Sequence, residues 1–183
     1  LCLGLNGTSQ ARPQLLLLVG KCLANAQYFR KLLYTRAMQI DGVNPVRATR
    51  TQVWTALNDP EVLARCVPGV KTLTLIDQNT FKMLLEIAIG PVKSKFDGKI
   101  EILERIEPDT VKLSVSAKAP TGIVNATGTV RLEEQDGGTL VHWAGEPKLM
   151  GMLATLGGRL IEGVAKQQAG IFFGKLEEEA QKL

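Results

Sequence analysis

The residues able to ligate metals or attack substrates are few in this sequence and lie far apart. The three cysteines are Cys2, Cys22 and Cys66, and no two of them have the C-x-x-C spacing of a zinc or redox site. His142 is the only histidine, and it follows the strand pattern beside Trp143, where a histidine is typically exposed or hydrogen-bonded. We therefore expect no metal site, no disulfide framework and a reducing, cytoplasmic location.

The remaining ionisable residues lack the pairing that acid–base or nucleophilic catalysis needs. Asp97 and Glu101 alternate with lysines, which is typical of solvated ion pairs, and Glu86 falls out of phase with its apolar neighbours. Arg65 precedes Cys66 and could lower the pKa of its thiol, although packing as a small apolar residue is the preferred interpretation. No carboxylate pair, triad or phosphate loop is present. We predict a protein that is not an enzyme and assign no catalytic residue.

Basic residues are concentrated at the start of the chain. The 183 residues carry a formal net charge of +4, yet residues 1–37 hold five basic residues and no acidic one. From Met38 onward, 17 basic and 18 acidic residues nearly cancel, so no nucleic-acid partner is expected. Residues 1–37 fit a tail outside the domain, a targeting peptide or a basic amphipathic arm. The first interpretation is favoured because Met38 opens a predicted strand, and the domain is assigned to residues 38–183.

Apolar spacing predicts the order of the elements. Met38–Val46 is predicted to be a strand, followed by short helices at 52–57 and Pro60–Cys66, the second with proline at its first position. A run of six antiparallel strands follows, and alternation places its clearest members at 81–89, 92–102, 111–117, 124–132 and 139–145. Leucines three and four residues apart then predict one helix of ~45 Å from about Met152 to Gln181. Helices segregated on one antiparallel sheet define an α+β domain.

The predicted inner surfaces are rich in aliphatic side chains and poor in aromatic rings. Aromatic residues make up 5% of the sequence, and one helix cannot fill the concave face of a curved sheet, so we expect an apolar ligand cavity between them. Six glycines in or at the start of the last helix fit either close approach to the sheet or space left for a ligand. The candidate lining residues are Met83, Leu85, Ile87, Phe96, Ile100, Val115, Met152, Leu156, Gly157, Leu160 and Val164.

Four sequence blocks resemble one known family. They are residues 53–69 (VWTALNDPEVLARCVPG), 89–93 (IGPVK), 130–134 (VRLEE) and 156–161 (LGGRLI). In this order, over about residues 38–183, they are similar to the carbon monoxide dehydrogenase G-subunit family. The resemblance implies the helix-grip fold of the START-like (SRPBCC) superfamily, shared with Bet v 1-like proteins. In that fold a curved antiparallel sheet wraps around a long C-terminal helix and encloses an apolar cavity.

The resemblance also implies a function. Family members are encoded with molybdenum-containing hydroxylases and are thought to recruit such an enzyme to the membrane or to link it to the quinone pool. We therefore expect a non-catalytic accessory protein that binds a lipid or quinone-like molecule and has no tightly bound cofactor. Its candidate partners are a molybdenum hydroxylase and, peripherally, the inner face of the membrane. Two alternatives stay open: a surface adaptor with a filled core, and an enzyme acting on a hydrophobic substrate in the cavity.

Overall fold

The computed structural model of the protein describes residues 38–90 and 92–183, so the expectations for residues 1–37 fall outside it. Within these residues, no helix is both long enough and apolar enough to cross a membrane. The elements in chain order are strand β1 (Ile40–Val46), helices α1 (Arg50–Asn58) and α2 (Pro60–Cys66), strands β2 (Val70–Asp77), β3 (Thr80–Ile89), β4 (Val92–Ile106), β5 (Thr110–Ala119), β6 (Gly122–Gln135) and β7 (Gly138–Gly151), a 3-10 helix (Met152–Thr155) and helix α3 (Gly158–Ala180).

The seven strands form one curved antiparallel sheet in the order β1-β7-β6-β5-β4-β3-β2. Strands β2 to β7 are a meander, and β1 pairs with β7 at one edge. Gly98 lets β4 approach β5 closely, because an ideal Cβ at this position would collide with the Ser116 carbonyl oxygen. This confirms the predicted α+β architecture of a curved antiparallel sheet with a C-terminal helix.

Side-chain caps fix the two short helices. Thr49 forms a capping box with Gln52 at the start of α1: the Gln52 N–H donates to Thr49 Oγ1 at 3.3 Å, and the Thr49 N–H donates to Gln52 Oε1 at 3.0 Å. Asp59 Oδ1 accepts from the N–H groups of Glu61 and Val62 at the start of α2, at 2.8 and 3.2 Å. Both predicted helices are confirmed, with α2 at the predicted bounds.

The interior contains two apolar clusters. The first cluster lies where α1, α2 and the C-terminal half of α3 meet the sheet, and its buried members are Val46, Ala48, Val53, Trp54, Ala56, Val62, Cys66, Val111, Leu132, Val141, Phe173, Leu176 and Ala180. The second cluster lies towards the β3–β4 and β5–β6 turns, and its buried members are Met83, Phe96, Ala117 and Leu153. Ten partly buried apolar residues surround the second cluster, so it is covered less completely.

The last helix begins at Gly158, so the predicted start at about Met152 was wrong. Strand β7 continues to Gly151, with Leu149 opposite Val124 in the β6–β7 ladder. Leucines three or four residues apart suit a helix, but Leu149 belongs to that strand and Leu153 to the short 3-10 helix. Helix α3 therefore has 23 residues and a length of about 35 Å.

The glycines inside α3 do not bring the helix close to the sheet. Gly163, Gly170 and Gly174 are exposed, and an ideal Cβ at each would meet no atom within 4 Å. Close approach, one of the two explanations that the sequence left open, therefore does not account for these three glycines. Because they lie on the outer face of α3, they also leave no extra space on the face that packs against the sheet.

Candidate ligand cavity

A largely enclosed cavity of about 140 Å³ lies between the sheet and the helices. All of its lining residues are apolar: Leu57, Leu63, Val67, Leu73, Phe81, Ile100, Ile102, Val111, Leu113, Val130 and Phe172. Leu57 from α1 and Leu63 from α2 close one side, and Phe172 from α3 closes another. The strands supply the remaining wall, so this inner cavity contains no side chain that could hydrogen-bond a ligand.

A more open cavity of about 410 Å³ adjoins the inner one along α3. Leu113, Val130 and Phe172 line both cavities, so these three side chains mark the boundary between them. The Trp143 indole also lines the open cavity, but its Nε1–H already donates to Asn44 Oδ1 at 2.8 Å. The other lining residues of the open cavity are Pro68, Val115, Gly128, Thr129, Ala144, Ala165, Gln168, Ala169 and Phe173.

Small residues on facing elements create the open cavity. Gly128 of β6 lies opposite Leu113 of β5 and Gly145 of β7, while α3 presents Ala165 and Ala169 to the same space. An ideal Cβ at Gly128 would come no closer than 3.5 Å to its neighbours, which is ordinary van der Waals contact. A side chain at this position would therefore occupy the cavity rather than displace the backbone.

Polar contacts hold α1 and α2 over the inner cavity. Arg105 of β4 donates through Nε to Asn58 Oδ1 at the end of α1, at 3.0 Å, and also bonds Asn79 in the β2–β3 turn. Arg65 of α2 lies 2.8 Å from Glu179 Oε2 of α3. Hydrogen bonds from Lys182 and from Arg65 lower the pKa of the Glu179 carboxyl below its ordinary value. The carboxylate form of Glu179 therefore helps to keep α2 against α3.

Neither the thiol nor the imidazole singled out from the sequence lines these cavities. Cys66 is fully buried in the first cluster, where burial and the Glu179 carboxylate raise the pKa of its thiol despite Arg65. His142 lies on the outer face of β7, because its neighbours Val141 and Trp143 pack inward, and its Nε2 is 3.0 Å from Glu133 Oε2. Over residues 38–90 and 92–183, no cluster of His, Cys, Asp or Glu could hold a metal ion.

The structure places the eleven predicted lining residues in three groups. Ile100 lines the inner cavity and Val115 the open one. The other nine lie outside both linings. Five of these nine pack in or against the second cluster: Met83, Leu85, Ile87, Phe96 and Leu156. Of the remaining four, Met152, Gly157 and Leu160 are exposed and Val164 is half-buried. Ligand contact by these eleven residues stays a prediction.

Sequence reasoning missed most of the residues that surround the inner cavity. Leu57 and Phe172 were recognised as apolar positions of helices, and Leu113 and Val130 as inward positions of strands, but none was assigned to a site. Alternation and helical spacing were the available signals, and they identify a buried face without showing which faces meet. Leu63 and Val67 had no signal beyond their apolar character.

Solved structures define the class to which this fold belongs. A START superfamily protein from Mycobacterium smegmatis is 11% identical, with a TM-score of 0.59, and the match covers 79% of this chain and 97% of that one. The ZhuI aromatase/cyclase from Streptomyces sp. R1128 is 12% identical, with a TM-score of 0.59, and the match covers 79% of this chain and 93% of that one. The protein therefore has a START-like helix-grip fold, a fold compatible with the binding of apolar ligands.

A family model described as the carbon monoxide dehydrogenase G-subunit (CoxG) matches residues 42–181. The chain belongs to this family, as the four sequence blocks predicted. A conserved protein from Geobacillus kaustophilus is 34% identical, with a TM-score of 0.74, and the match covers 79% of this chain and 95% of that one. No protein with a curated description matches the sequence.

Proposed function

We propose that this protein is a non-catalytic carrier of an apolar ligand, a lipid or quinone-like molecule held between α3 and the sheet. The observation that carries the proposal is the apolar inner cavity, which joins a more open one at Leu113, Val130 and Phe172. Burying a polar group there without a hydrogen bond would cost roughly 2–7 kcal/mol. We therefore expect the inner cavity to hold a hydrocarbon part of the ligand, either an alkyl group or the edge of a ring without polar substituents.

The cavity volumes limit what each part accepts. The inner volume of about 140 Å³ is close to the ~150 Å³ of an apolar cavity that binds benzene, so it suits one ring or a short branched chain. The open volume of about 410 Å³ falls within the roughly 300–1,000 Å³ of small-molecule sites. Gln168 of α3, which lines the open cavity, has a side chain able to donate a hydrogen bond to a carbonyl oxygen of the ligand. Thr129 alternates with the inward-facing Gly128 and Val130, so its side chain points to the outer face of the sheet.

The absence of titratable groups from both linings supports a carrier rather than an enzyme. General acid–base catalysis requires a group within hydrogen-bond reach of the reacting atom. His142, the one imidazole, lies on the outer face of the sheet beside Glu133. We expect His142→Ala to leave ligand uptake unchanged, whereas a hydrophobic substrate converted by the wild type and not by this variant would favour the enzyme alternative.

Family membership supports a role beside a molybdenum hydroxylase. In this role the protein would recruit the enzyme to the membrane or exchange a quinone with it, and the molybdenum chemistry would belong to the partner. The measurement is quinone reduction by such a hydroxylase with and without this protein. We expect stimulation that is lost when the cavity is filled, and no stimulation by the wild type would contradict the partnership.

A matched pair of variants on strand β6 tests the ligand directly. Gly128→Val places a side chain in the open cavity, whereas Thr127→Val puts the same side chain at the neighbouring position, which is exposed on the outer face of the sheet. Native mass spectrometry of the purified full chain, then of the delipidated chain titrated with ubiquinone-1, measures retention and uptake. We expect the wild type and Thr127→Val to bind, and Gly128→Val to bind at least ~10-fold more weakly, since each 1.4 kcal/mol is a factor of ten.

Failure of the wild type to retain or take up any apolar molecule would contradict the carrier and leave the surface adaptor. Equal binding by Gly128→Val and Thr127→Val would show that the ligand does not occupy the open cavity. If Gly128→Val lowers the melting temperature sharply, Val130→Phe provides a second way to fill the boundary between the cavities.

A further inference from the structure

One end of the sheet is strongly basic. The β3–β4 and β5–β6 turns, the end of β7 and the start of α3 meet there, as shown by the Leu153 N–H donating to the Thr121 carbonyl oxygen at 3.3 Å. Residues 92–96, 118–125 and 147–160 of this basic end contain no acidic residue. Their five basic residues are Lys93, Lys95, Lys118, Lys148 and Arg159, and all five are exposed.

The opposite end is strongly acidic. It contains the α1–α2 junction and the β2–β3, β4–β5 and β6–β7 turns, because the turns of a meander alternate between the two ends of the strands. Residues 58–61, 77–80, 103–110 and 132–138 of this acidic end carry one basic residue, Arg105. Their nine acidic residues are Asp59, Glu61, Asp77, Glu104, Glu107, Asp109, Glu133, Glu134 and Asp136. Three neighbouring basic residues form ion pairs with carboxylates of the acidic end: Arg50 with Glu134, Lys112 with Glu104 and Arg131 with Glu133.

Apolar side chains are exposed at the basic end. Met150 is 46% exposed, Met152 50% and Leu160 37%. An ideal Cβ at Gly90 would lie 3.1 Å from Leu160 Cδ2, so Leu160 sits beside the β3–β4 turn. Lys93 is paired with Glu86 at 2.9 Å, and Glu86 also lies opposite Lys95 in the β3–β4 ladder. Asp97 lies opposite Lys118 in the β4–β5 ladder, and Glu146 precedes the third range, so the basic end keeps a net positive charge beside these three carboxylates. Among the described residues, Lys148 and Arg159 have neither an ion-pair partner nor an acidic residue directly opposite them in the sheet. Apolar groups beside a net positive charge match the interface of an anionic bilayer.

We propose that the basic end docks on an anionic lipid bilayer, with Met150, Met152 and Leu160 at the interface and the basic side chains on the headgroups. This inference rests on the proposed function. It adds which surface of the protein contacts the membrane and that the lipids of that membrane are anionic. Each Lys or Arg near such a surface raises affinity roughly fivefold. Repulsion of the acidic end fixes the orientation, so α1 and α2 face away from the bilayer, towards a protein partner.

Co-sedimentation of the full chain with vesicles tests the proposal. Vesicles of phosphatidylcholine with phosphatidylglycerol should bind the wild type in a salt-sensitive manner, and phosphatidylcholine alone should bind it far more weakly. We expect Lys118→Gln with Lys148→Gln to lower the partition constant about 25-fold. Their control is Lys82→Gln with Lys175→Gln, which removes two exposed charges outside the basic end and should change binding less than about twofold.

The apolar contribution is tested by a second matched set. Met150→Ser with Met152→Ser should also weaken binding, whereas Ile76→Ser, at a residue 60% exposed near the acidic end, should not. Every variant keeps residues 1–37, so their five basic residues contribute equally throughout.

Unchanged binding of the two-lysine variant, or equal losses in its control, would overturn the proposal, and so would a methionine variant that binds like the wild type. Capture of an acidic protein without any vesicle binding would also overturn it. A wild type that ignores anionic vesicles yet retains an apolar molecule in native mass spectrometry would overturn only this inference. Vesicle binding by a protein that never takes up a ligand would contradict only the carrier.

Discussion

The two apolar clusters differ in how fully the chain covers them. Thirteen residues of the first cluster are buried beneath α1, α2 and the end of α3. The second cluster has four buried residues inside a rim of partly buried ones, and the surface beside it exposes Met150, Met152 and Leu160. Burial stabilises the fold roughly in proportion to the apolar area removed from water. The first cluster therefore supplies most of the stability, and the second borders the surface proposed for contact.

Polar contacts reinforce the same difference. Glu177 Oε2 of α3 accepts from the Arg47 N–H at 2.8 Å, and the Gln181 side chain donates to the Arg47 carbonyl oxygen at 2.9 Å. Together with Arg65–Glu179, these contacts join the end of α3 to the segment after β1 and to α2. The start of α3 has no side-chain cap. The inner cavity therefore lies beneath α1, α2 and the C-terminal half of α3, the part of the helices that these polar contacts hold in place.

The largest contrast should come from truncating one side chain in each half. Leu176 in the first cluster is fully buried, and Leu176→Ala should lower the free energy of unfolding by about 2–5 kcal/mol through lost burial and a new void. Met152→Ala, at the basic end, should change it by less than about 0.5 kcal/mol. Urea unfolding of both variants measures the difference. Similar losses would show that stability is shared evenly between the two halves.

A smaller and opposite effect is expected on the outer face of α3. Gly170→Ala adds a methyl group that meets no atom within 4 Å, so it should raise the free energy of unfolding by about 0.5–1 kcal/mol through helix propensity. Gly98→Ala is the contrasting variant and should destabilise, because its Cβ would collide with the Ser116 carbonyl. The melting temperatures of the two variants, compared with that of the wild type, measure the two effects. A lower melting temperature for Gly170→Ala would contradict the conclusion that space is open around this glycine.

The smallest effect concerns the acid limit of stability. Hydrogen bonds from Lys182 and Arg65 lower the pKa of Glu179 in the folded state from its ordinary value of 4.5. The contribution of Glu179 is therefore complete above that value and is lost as the pH falls through the lowered pKa. Glu179→Gln should reduce stability at neutral pH and flatten its decline below about pH 4.5. Glu178→Gln is the neighbouring control, and equal pH profiles for both variants would contradict the assigned role of Glu179.

Much of the fold was predictable because its signals are local. Alternation along 81–89 and 92–102 identified two strands and their inward faces, and Asp59-Pro60 marked the start of α2. The start of the last helix was not predictable in the same way. Leu149, Leu153 and Leu156 have helical spacing, but pairing with β6 keeps Leu149 in a strand, and pairing across a sheet is a long-range choice.

The candidate site was predictable only in part, for the same reason. Ile100 and Val115 were identified because the inward face of a strand can be read from its alternation. Leu57, Leu63 and Phe172 come from three helices, and only the tertiary packing of those helices over the sheet places them around one cavity. The family blocks suggested that a cavity exists, but they did not indicate its position.

A crystal structure of the full chain grown with ubiquinone-1 would test the central claim most directly. We predict electron density for the ligand between α3 and the sheet, in contact with Leu113, Val130 and Phe172, with a carbonyl oxygen of the ligand facing Gln168. A ligand bound only on the outer surface would contradict that claim, as would an unliganded structure, at saturating ubiquinone-1, in which those three side chains close the space.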